Sequence, residues 1–389
     1  MKTYDVIIIG AGAAGIFAAG RIPKNKSVCI LDAGATPLRR VAISGGGKCN
    51  FTNTHASYTH YFGKNPDFTR GALARFSGYD MLDWCKIHNI KMSEKSAGQY
   101  FADDSKNIIN ALMHDAKNTD IILNTPVKSV TKNGDVFNVL SENGTYTAKN
   151  VCIATGGVSY PNIGNGDVGL QIAKSFGHKI IPVRPALCGI KTHMFNPELS
   201  GISMPVEITI SQETIADDML FTHWGLGGPA IYRATVRDIE NGFTINLLPN
   251  CDARAWLIEQ KRINGRKQLK TILATKIPER VVANLMQGQT KNIADYRDDE
   301  LLAIANGLRH TNLTPQDFAL QTFSTAEVTR GGISTDNISS KTFESKICPN
   351  LYFIGECMDI AGDLGGYNLH WAWATANAFA ENFLSCART

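Results

Sequence analysis

Hydrophobic positions follow two patterns along this chain, and the first governs its beginning. Val6–Ile9 is an unbroken apolar run, Gly10, Gly12 and Gly15 follow among small residues, and apolar positions return as Val28-Cys29-Ile30-Leu31 before Asp32. Strand, glycine turn, small-residue helix and second strand make a complete dinucleotide-binding βαβ unit. Gly10 permits the tight turn, Gly12 lets backbone approach a pyrophosphate, and Gly15 lets the helix pack closely on the strand. The helix start at Ala13 and Ala14 faces the phosphates. Asp32, followed by Ala33, stands where a carboxylate accepts the hydroxyl protons of an adenosine ribose.

Further elements follow from periodicity. A helix is expected from about Gly71 to His88, and Ser105 is expected to cap another in which Ile108, Ile109, Leu112, Met113 and Ala116 share one face. Strand-like runs come at Ile121–Leu123, Val127–Val130 and Asp135–Leu140. The turn Glu142-Asn143-Gly144 leads to a further strand, and Val151–Ala154 runs into Thr155-Gly156-Gly157. Beyond Pro182–Pro185 the second pattern begins: Val206–Ile210 and Phe243–Leu247 alternate with period two, as in an antiparallel sheet. Residues 253–319 read as helical and charged, Leu351–Gly355 as a last buried strand, and residues 369–384 as a long final helix. The expected architecture is α/β. A discontinuous Rossmann-like domain (1–186 and 327–389) is interrupted by an antiparallel β domain (187–252 and 320–326) and a small helical subdomain (253–319).

Composition adds exclusions. With 389 residues and 43% hydrophobic content the chain can bury a large core, and a net charge of +4 is too even to imply nucleic acid or an anionic membrane by itself. Nine scattered cysteines with no C-x-x-C pair suit a reducing cytoplasm and argue against disulfides or zinc. The apolar start is not a signal peptide, because Asp5 interrupts it and no A-x-A site precedes the second strand. Gly45-Gly46-Gly47-Lys48-Cys49 is not a P-loop, since Ala42 replaces its first glycine and Cys49 its Ser/Thr.

Four separated segments converge on one extended ligand. The first is Gly10–Gly15 with Asp32. The second runs from Arg39 and Arg40 through Ser44-Gly45-Gly46-Gly47-Lys48-Cys49-Asn50-Phe51-Thr52-Asn53: its glycines allow backbone N–H groups to line a concave site, and Ser44, Asn50, Thr52 and Asn53 supply orienting hydrogen bonds. The third is Thr155-Gly156-Gly157, continuing to Gly164-Asn165-Gly166-Asp167-Val168-Gly169. That stretch also satisfies G-x-G-x-x-G, but it follows no apolar strand and lacks an acid-ended strand some twenty residues on; it is assigned to the same cofactor, with Gly166 and Asp167 opening a helix toward Phe176. The fourth is Gly355-Glu356-Cys357-Met358-Asp359 with Gly365-Gly366-Tyr367-Asn368-Leu369, a glycine pair that puts free N–H groups and a positive helix end at the ligand. Val127, opening its strand, completes the set of candidate cofactor contacts. Asp359 reads either as holding a ribityl hydroxyl or the pyrophosphate, or as a surface acid.

This order of segments resembles the bacterial FAD-binding flavoproteins of glutathione-reductase type known as the aminoacetone-oxidase, or BaiN-like, family. The resemblance covers nearly the whole chain. Its most specific carriers are Ser44–Asn53, Thr222-His223-Trp224-Gly225-Leu226-Gly227-Gly228-Pro229-Ala230, and Gly355-Glu356 with Gly365–Leu369. It implies FAD, with its adenosine end at Gly10–Asp32, and inserted β and helical domains above the flavin. Lys48 stands where the family usually has arginine, Gly98-Gln99-Tyr100-Phe101-Ala102 departs from Gly-Arg-x-Phe-Pro, and His370 replaces a common glutamine.

In flavin chemistry the ring carries the electrons, so the protein positions donor and acceptor and sometimes supplies a proton. Candidate proton donors are His223, Cys49, Tyr367 and His370, with His223 first because it opens the Gly/Pro loop of the inserted domain; Cys357 reads as a packing residue. The leading function is an FAD-dependent oxidoreductase in which NAD(P)H reduces the flavin, which then reduces an enone or imine or passes electrons to oxygen. The alternatives are a non-catalytic flavin-binding regulator and an FAD-dependent RNA-modifying enzyme. The only sequence support for RNA is the basic cluster Lys261, Arg262, Arg266, Lys267 and Lys270, read first as a solvated helix face, so the expected partner is a small molecule rather than nucleic acid or membrane.

Overall fold

In the computed structural model, residues 3–96, 98–163, 166–288 and 291–384 are described. The chain divides into two compact units, residues 1–184 with 323–389, and residues 185–322.

In the first unit the unbroken apolar runs become parallel strands covered on both faces, which is why they show no alternation. β1 (Thr3–Ile9) pairs with β2 (Val28–Leu31), Ile8 opposite Ile30, and α1 (Ala13–Arg21) connects them. On its other edge β1 pairs with the strand Gly144–Ile153, Ile7 opposite Val151, and that strand pairs with Leu351–Phe353, Cys152 opposite Tyr352. Asp120–Ile122 extends the sheet beyond β2, and the antiparallel strands Val127–Asn133 and Val136–Ser141 fold onto the first half of Gly144–Ile153.

The final helix, Tyr367–Glu381, is buried along nearly its whole length and packs against α1. Trp371, Trp373 and Phe379 are among the largest fully buried side chains. Truncating any one of them would cost about 3–5 kcal/mol. Two polar edges of this core find partners: the Trp373 indole N–H donates to the Phe51 carbonyl at 2.8 Å, and Arg21 Nε donates to Asn377 Oδ1 at 2.8 Å, whereas the buried Trp371 indole nitrogen has none among the described residues.

Two local expectations need correction. The single helix expected over residues 71–88 is two helices, Arg70–Arg75 and Gly78–Ile87, because Phe76 turns to extended backbone and Ser77 restarts the chain through a capping box with Asp80. The helix after it is capped by Asp104, whose carboxylate accepts from the Lys106 amide. Ser105 is its first residue, and its hydroxyl donates to the Ala42 carbonyl.

The second unit carries an antiparallel seven-stranded sheet in the order Thr311–Leu313, Phe243–Asn246, Ser203–Ile210, Glu213–Thr222, Gly225–Gly227, Ile190–Thr192, Phe318–Leu320. Alternation along Ser203–Ile210 puts Met204, Val206, Ile208 and Ile210 inside. Helices Ala253–Ile263, Leu269–Leu273, Glu279–Met286 and Asp298–Arg309 bury Leu257, Leu269, Ile272, Leu273, Val281, Val282 and Leu301 in the same core. The helical stretch thus ends before 319: Thr311–Leu313 pairs with Phe243–Ile245, which lets Leu313 bury, and Phe318–Leu320 pairs with Ile190–Thr192. No described helix is long and apolar enough to cross a membrane.

Candidate cofactor site

The parallel sheet decides where a ligand can lie, because open α/β sheets bind at the carboxyl ends of their strands. Asp32 follows β2, Gly10–Gly15 follows β1, Thr155-Gly156-Gly157 follows Gly144–Ile153, and Gly355-Glu356 follows Leu351–Phe353. Those strands are neighbours in that order, so the fold brings residues from four parts of the chain to one edge. The second segment is tied to the same edge. The Leu38 amide, leading into α2 (Arg39–Ile43), donates to the Ala11 carbonyl at 2.8 Å, and Asn53 Nδ2, in β3 (Asn50–Asn53), donates to the Gly365 carbonyl at 2.9 Å.

At the nucleotide end the glycines differ in what they exclude. A Cβ on Gly15 would lie 2.0 Å from the Gly10 carbonyl oxygen, and one on Gly10, at φ +115°, would lie 2.4 Å from the Ala154 oxygen. These two positions hold the helix against the sheet. A Cβ on Gly12 would meet nothing within 4 Å, so that position faces open space, and the first turn of α1 has no side-chain cap over its amides. Asp32 is more committed than expected: its oxygens accept the amides of Ala11 and Gly34, each at 2.7 Å, and the Arg39 guanidinium at 2.9 Å. With three of about four acceptor positions used, it has room for one ribose hydroxyl rather than two. Ala33 beside it is exposed. Val127 comes close to this end because the amides of Asn124 and Thr125 donate to the carbonyls of Gly34 and Asp32.

The middle of the site is an ion-paired group that the sequence alone did not suggest. Arg40 pairs with Glu356, and Glu356 Oε1 accepts the Thr329 amide at 2.9 Å. The Arg40 guanidinium lies over the Tyr160 ring at 5.8 Å. Gly157 is confined beside Thr329 and Glu356, whereas Gly156 is open except toward Arg40. The helix expected after Gly166 and Asp167 is Val168–Ser175, and Asp167 is its N-cap residue, its carboxylate accepting from Gln171 Nε2 at 2.9 Å. Gly169 packs on Thr155; Gly164 and Asn165, assigned to the same cofactor, lie outside the described residues.

At the glycine-pair end most candidate side chains hold the protein itself. The Ser44 hydroxyl donates to the Val41 carbonyl at 2.8 Å. Asn53 is shared between Gly365 and the His55 amide. Asn368 clamps its own loop through the Gly362 amide at 2.8 Å and carbonyl at 2.9 Å, and Asp359 accepts the Lys64 amide at 2.8 Å. These hydrogen bonds shape the loops, and the orienting roles expected for Ser44 and Asn53 fall to the capacity left on their polar atoms. Backbone and one orphaned atom complete this end. Gly45, Gly46, Gly365 and Gly366 all have positive φ; Gly46 faces open space, and Gly366, the N-cap of the last helix, is so close that a Cβ would lie 2.5 Å from the Thr52 oxygen. Asn50 Oδ1 is buried without any hydrogen-bond donor among the described residues. Lys48 is exposed, and Leu369 is half-buried on the last helix.

The proton-donor candidates separate sharply. Cys49 is fully buried, and burial pushes its thiol up to about 12, so it is a neutral packing residue. His370 is also fully buried, and burial lowers its pKa to about 4. Since a carbonyl only accepts, His370 Nε2 donates to Phe76 O at 3.1 Å, and Nδ1 then accepts from the Thr52 hydroxyl at 2.9 Å. Both ring nitrogens of His370 and the Thr52 hydroxyl proton are used in that bridge, so His370 can give up its ring proton only by breaking it. Cys357 is buried with its thiol likewise raised to about 12. Tyr367 stacks on His60 with centroids 4.6 Å apart. His223 belongs to the second unit, exposed on the two-residue turn between Glu213–Thr222 and Gly225–Gly227.

A glycine-fingerprinted parallel sheet in one unit and an antiparallel sheet in the other define a Rossmann-like FAD-binding fold. The HI0933-like protein Rossmann domain model matches residues 4–382, and the chain belongs to that family. It is 37% identical to the ribosomal RNA dihydrouridine synthase of Escherichia coli, over 99% of each chain, and 37% identical to that of Haemophilus influenzae, over 98% of each. A 3-dehydro-bile acid delta(4,6)-reductase of Clostridium scindens is 26% identical over 95% of this chain and 96% of its own. Among solved structures, the E. coli quinol fumarate reductase FrdA superposes with a TM-score of 0.50 at 14% identity, over all of this chain and 71% of that one. The names of the first two relatives stand partly against the expectation that nucleic acid is an unlikely kind of partner.

The residues fit an FAD molecule on three observations of this structure. Open space stands at Gly12 before uncapped amides, a positive-φ glycine pair heads the last helix with Gly366 packed against Thr52, and the orphaned Asn50 oxygen asks for an N–H donor such as a flavin ring carries.

Proposed function

We propose that this chain is a flavin-dependent reductase whose acceptor is a uracil ring of ribosomal RNA, converting uridine to dihydrouridine. The observation that carries this reading is end-to-end identity of 37% with two proteins bearing that name. The bile-acid relative supports the reaction type. The C5=C6 bond of uracil is conjugated to the C4 carbonyl, as the bonds reduced in a 3-oxo bile acid are conjugated to theirs. Both acceptors are enones, the class expected from the sequence.

Bound FAD supplies the hydride, and NAD(P)H is the proposed source of its electrons. Reduction places the hydride on C6 and a proton on C5, and negative charge gathers on the acceptor carbonyl as it proceeds. We assign the backbone N–H groups at Gly12, Ala13 and Ala14 to the pyrophosphate and those heading the last helix, at Gly366 and Tyr367, to the flavin edge that becomes negative on reduction. Asn50 Oδ1 takes a ring N–H. His223 is retained as the proposed proton donor, since Cys49 is desolvated and His370 has no free nitrogen. The sheet of the second unit is antiparallel, which supports a nicotinamide that visits transiently instead of one held in a second nucleotide fold.

The test is nucleoside mass spectrometry after incubating flavin-loaded protein with NADPH or NADH and ribosomal RNA transcribed in vitro. The expected product is uridine heavier by two hydrogens, and His223→Ala is expected to keep its flavin but turn over at least about tenfold more slowly, the lower range for a general acid. Turnover of a small enone without any RNA product would restore the small-molecule reading. Unchanged turnover in His223→Ala would remove that residue from the mechanism.

A further inference from the structure

We infer that the helical layer of residues 253–309 is the surface on which this protein holds RNA, through an uncompensated group of cations centred on Arg266, Lys267, Lys270, Lys276 and Arg280. The inference rests on the RNA reading above and names the surface that reading requires.

The layer carries eleven Lys and Arg against six Asp and Glu, a surplus of five in a chain whose total net charge is only +4. The even balance of the whole chain therefore conceals a strong segregation. Between residues 261 and 291 the contrast is sharper still, with eight cations and the single acid Glu279.

Local structure puts these charges on one side. In Leu269–Leu273, Leu269, Ile272 and Leu273 are buried and Lys270 is exposed; in Glu279–Met286, Val281 and Val282 are buried and Arg280 is exposed. The connecting segments lie in the same layer. The Ile293 amide donates to the Lys267 carbonyl at 2.9 Å and the Ala294 amide to the Gly265 carbonyl at 3.1 Å, while the Lys276 ammonium sits 5.4 Å from the Trp256 ring centroid. The apolar faces meet in one core, so the cations are left on the solvent side.

Four of the layer's six acids are ion-paired among the described residues. Asp298 pairs with Lys261, Glu259 with Arg262, Glu300 with Lys291 and Asp299 with Arg297. Arg266, Lys267, Lys270, Lys276 and Arg280 have no carboxylate partner among the described residues. A solvated helix face usually mixes both signs to stay soluble. Five exposed cations without counter-charges instead match a polyanion, whose backbone releases counterions when Lys and Arg replace them. The half-buried Trp256 ring beneath Lys276 adds an aromatic surface beside the charges.

The test is fluorescence-anisotropy titration of the flavin-loaded full chain with a labelled, uridine-rich single-stranded RNA at several salt concentrations. The variants are Arg266→Ala/Lys267→Ala/Lys270→Ala, and as control Lys24→Ala/Lys106→Ala/Lys117→Ala, three exposed cations of the other unit. Retained flavin and an unshifted melting midpoint confirm that each folds. The first variant is expected to lose at least about tenfold in affinity, with its salt slope shallower by about 2 for three lost phosphate contacts. The control is expected to match the parent. Parent-like affinity and slope in the first variant would overturn this surface while leaving the RNA reading intact. An equal loss in both variants would show that net charge rather than this layer does the binding, and would also overturn it. If the parent itself fails to bind RNA at low salt, the functional reading fails and the surface with it.

Discussion

At the Gly10–Gly15 end of the candidate site the backbone itself faces the ligand space, whereas at the Asn50–Leu369 end the side chains have spent their hydrogen bonds on the protein. Gly12 opens onto empty space before uncapped amides, so that end is defined by what its residues lack. Thr52, Asn53, Asn368 and His370 are polar and sit in or beside the expected segments, yet Thr52, Asn53 and His370 bond across to other segments and Asn368 to its own loop. Residue type and segment thus identify a binding end made of backbone more securely than one made of polar side chains. For side chains the deciding quantity is leftover hydrogen-bonding capacity, and by that measure Asn50 stands out.

Substitutions can break this comparison at either end. The largest effect is expected from Gly15→Val, where even the first added carbon falls 2.0 Å from the Gly10 oxygen: the β1–α1 packing has to open, and the variant should be colourless and destabilised by about 3 kcal/mol or more. Denaturant unfolding measures that loss. Gly12→Val distinguishes ligand space from packing space. Its Cβ meets no protein atom within 4 Å, so the variant should melt close to the parent but purify without flavin. A yellow Gly12→Val protein would place the pyrophosphate elsewhere.

At the other end, His370→Ala should leave Thr52 and the Phe76 carbonyl unpaired and cost about 1–3 kcal/mol while flavin still binds. Its pH dependence is a second check. Burial lowers the folded pKa from 6.5 to about 4, so between those values the unfolded chain binds the extra proton. Stability from this group is fully present above pH 6.5 and is lost as pH falls toward 4, on the order of 3 kcal/mol in all. His178 is shifted in the same direction by burial, so the His370 contribution is the part of the slope that disappears in the variant. The smallest effect belongs to Asn50→Ala: with no protein donor to lose at Oδ1, the fold should be unmoved and FAD affinity should fall by about tenfold, the worth of one hydrogen bond. Equilibrium dialysis against free FAD reads that change.

Much of the fold was legible because its signals are local and redundant. The apolar runs of β1 and β2 require two covered faces, and the glycine turn between them fits the parallel connection they form. The break at Phe76 was also written in the chain as Ser77 with Asp80 three residues on, but a continuing apolar period masked it. The Arg40–Glu356 pair was not readable, since its members are 316 positions apart and only the sheet order brings them together. The basic layer was half-read. The cluster Lys261–Lys270 alone resembles a solvated face, and the imbalance is legible only over the longer stretch to Lys276, Arg280 and Lys291, where Glu279 is the lone acid.

Both ends of the comparison presuppose one bound dinucleotide across the strand ends, and its content can be measured directly. Protein purified without added cofactor, heat-denatured and resolved by chromatography, should release FAD in amounts approaching one molecule per chain, and stripped protein should regain it on reconstitution. Protein that carries no flavin and takes none up would contradict the account.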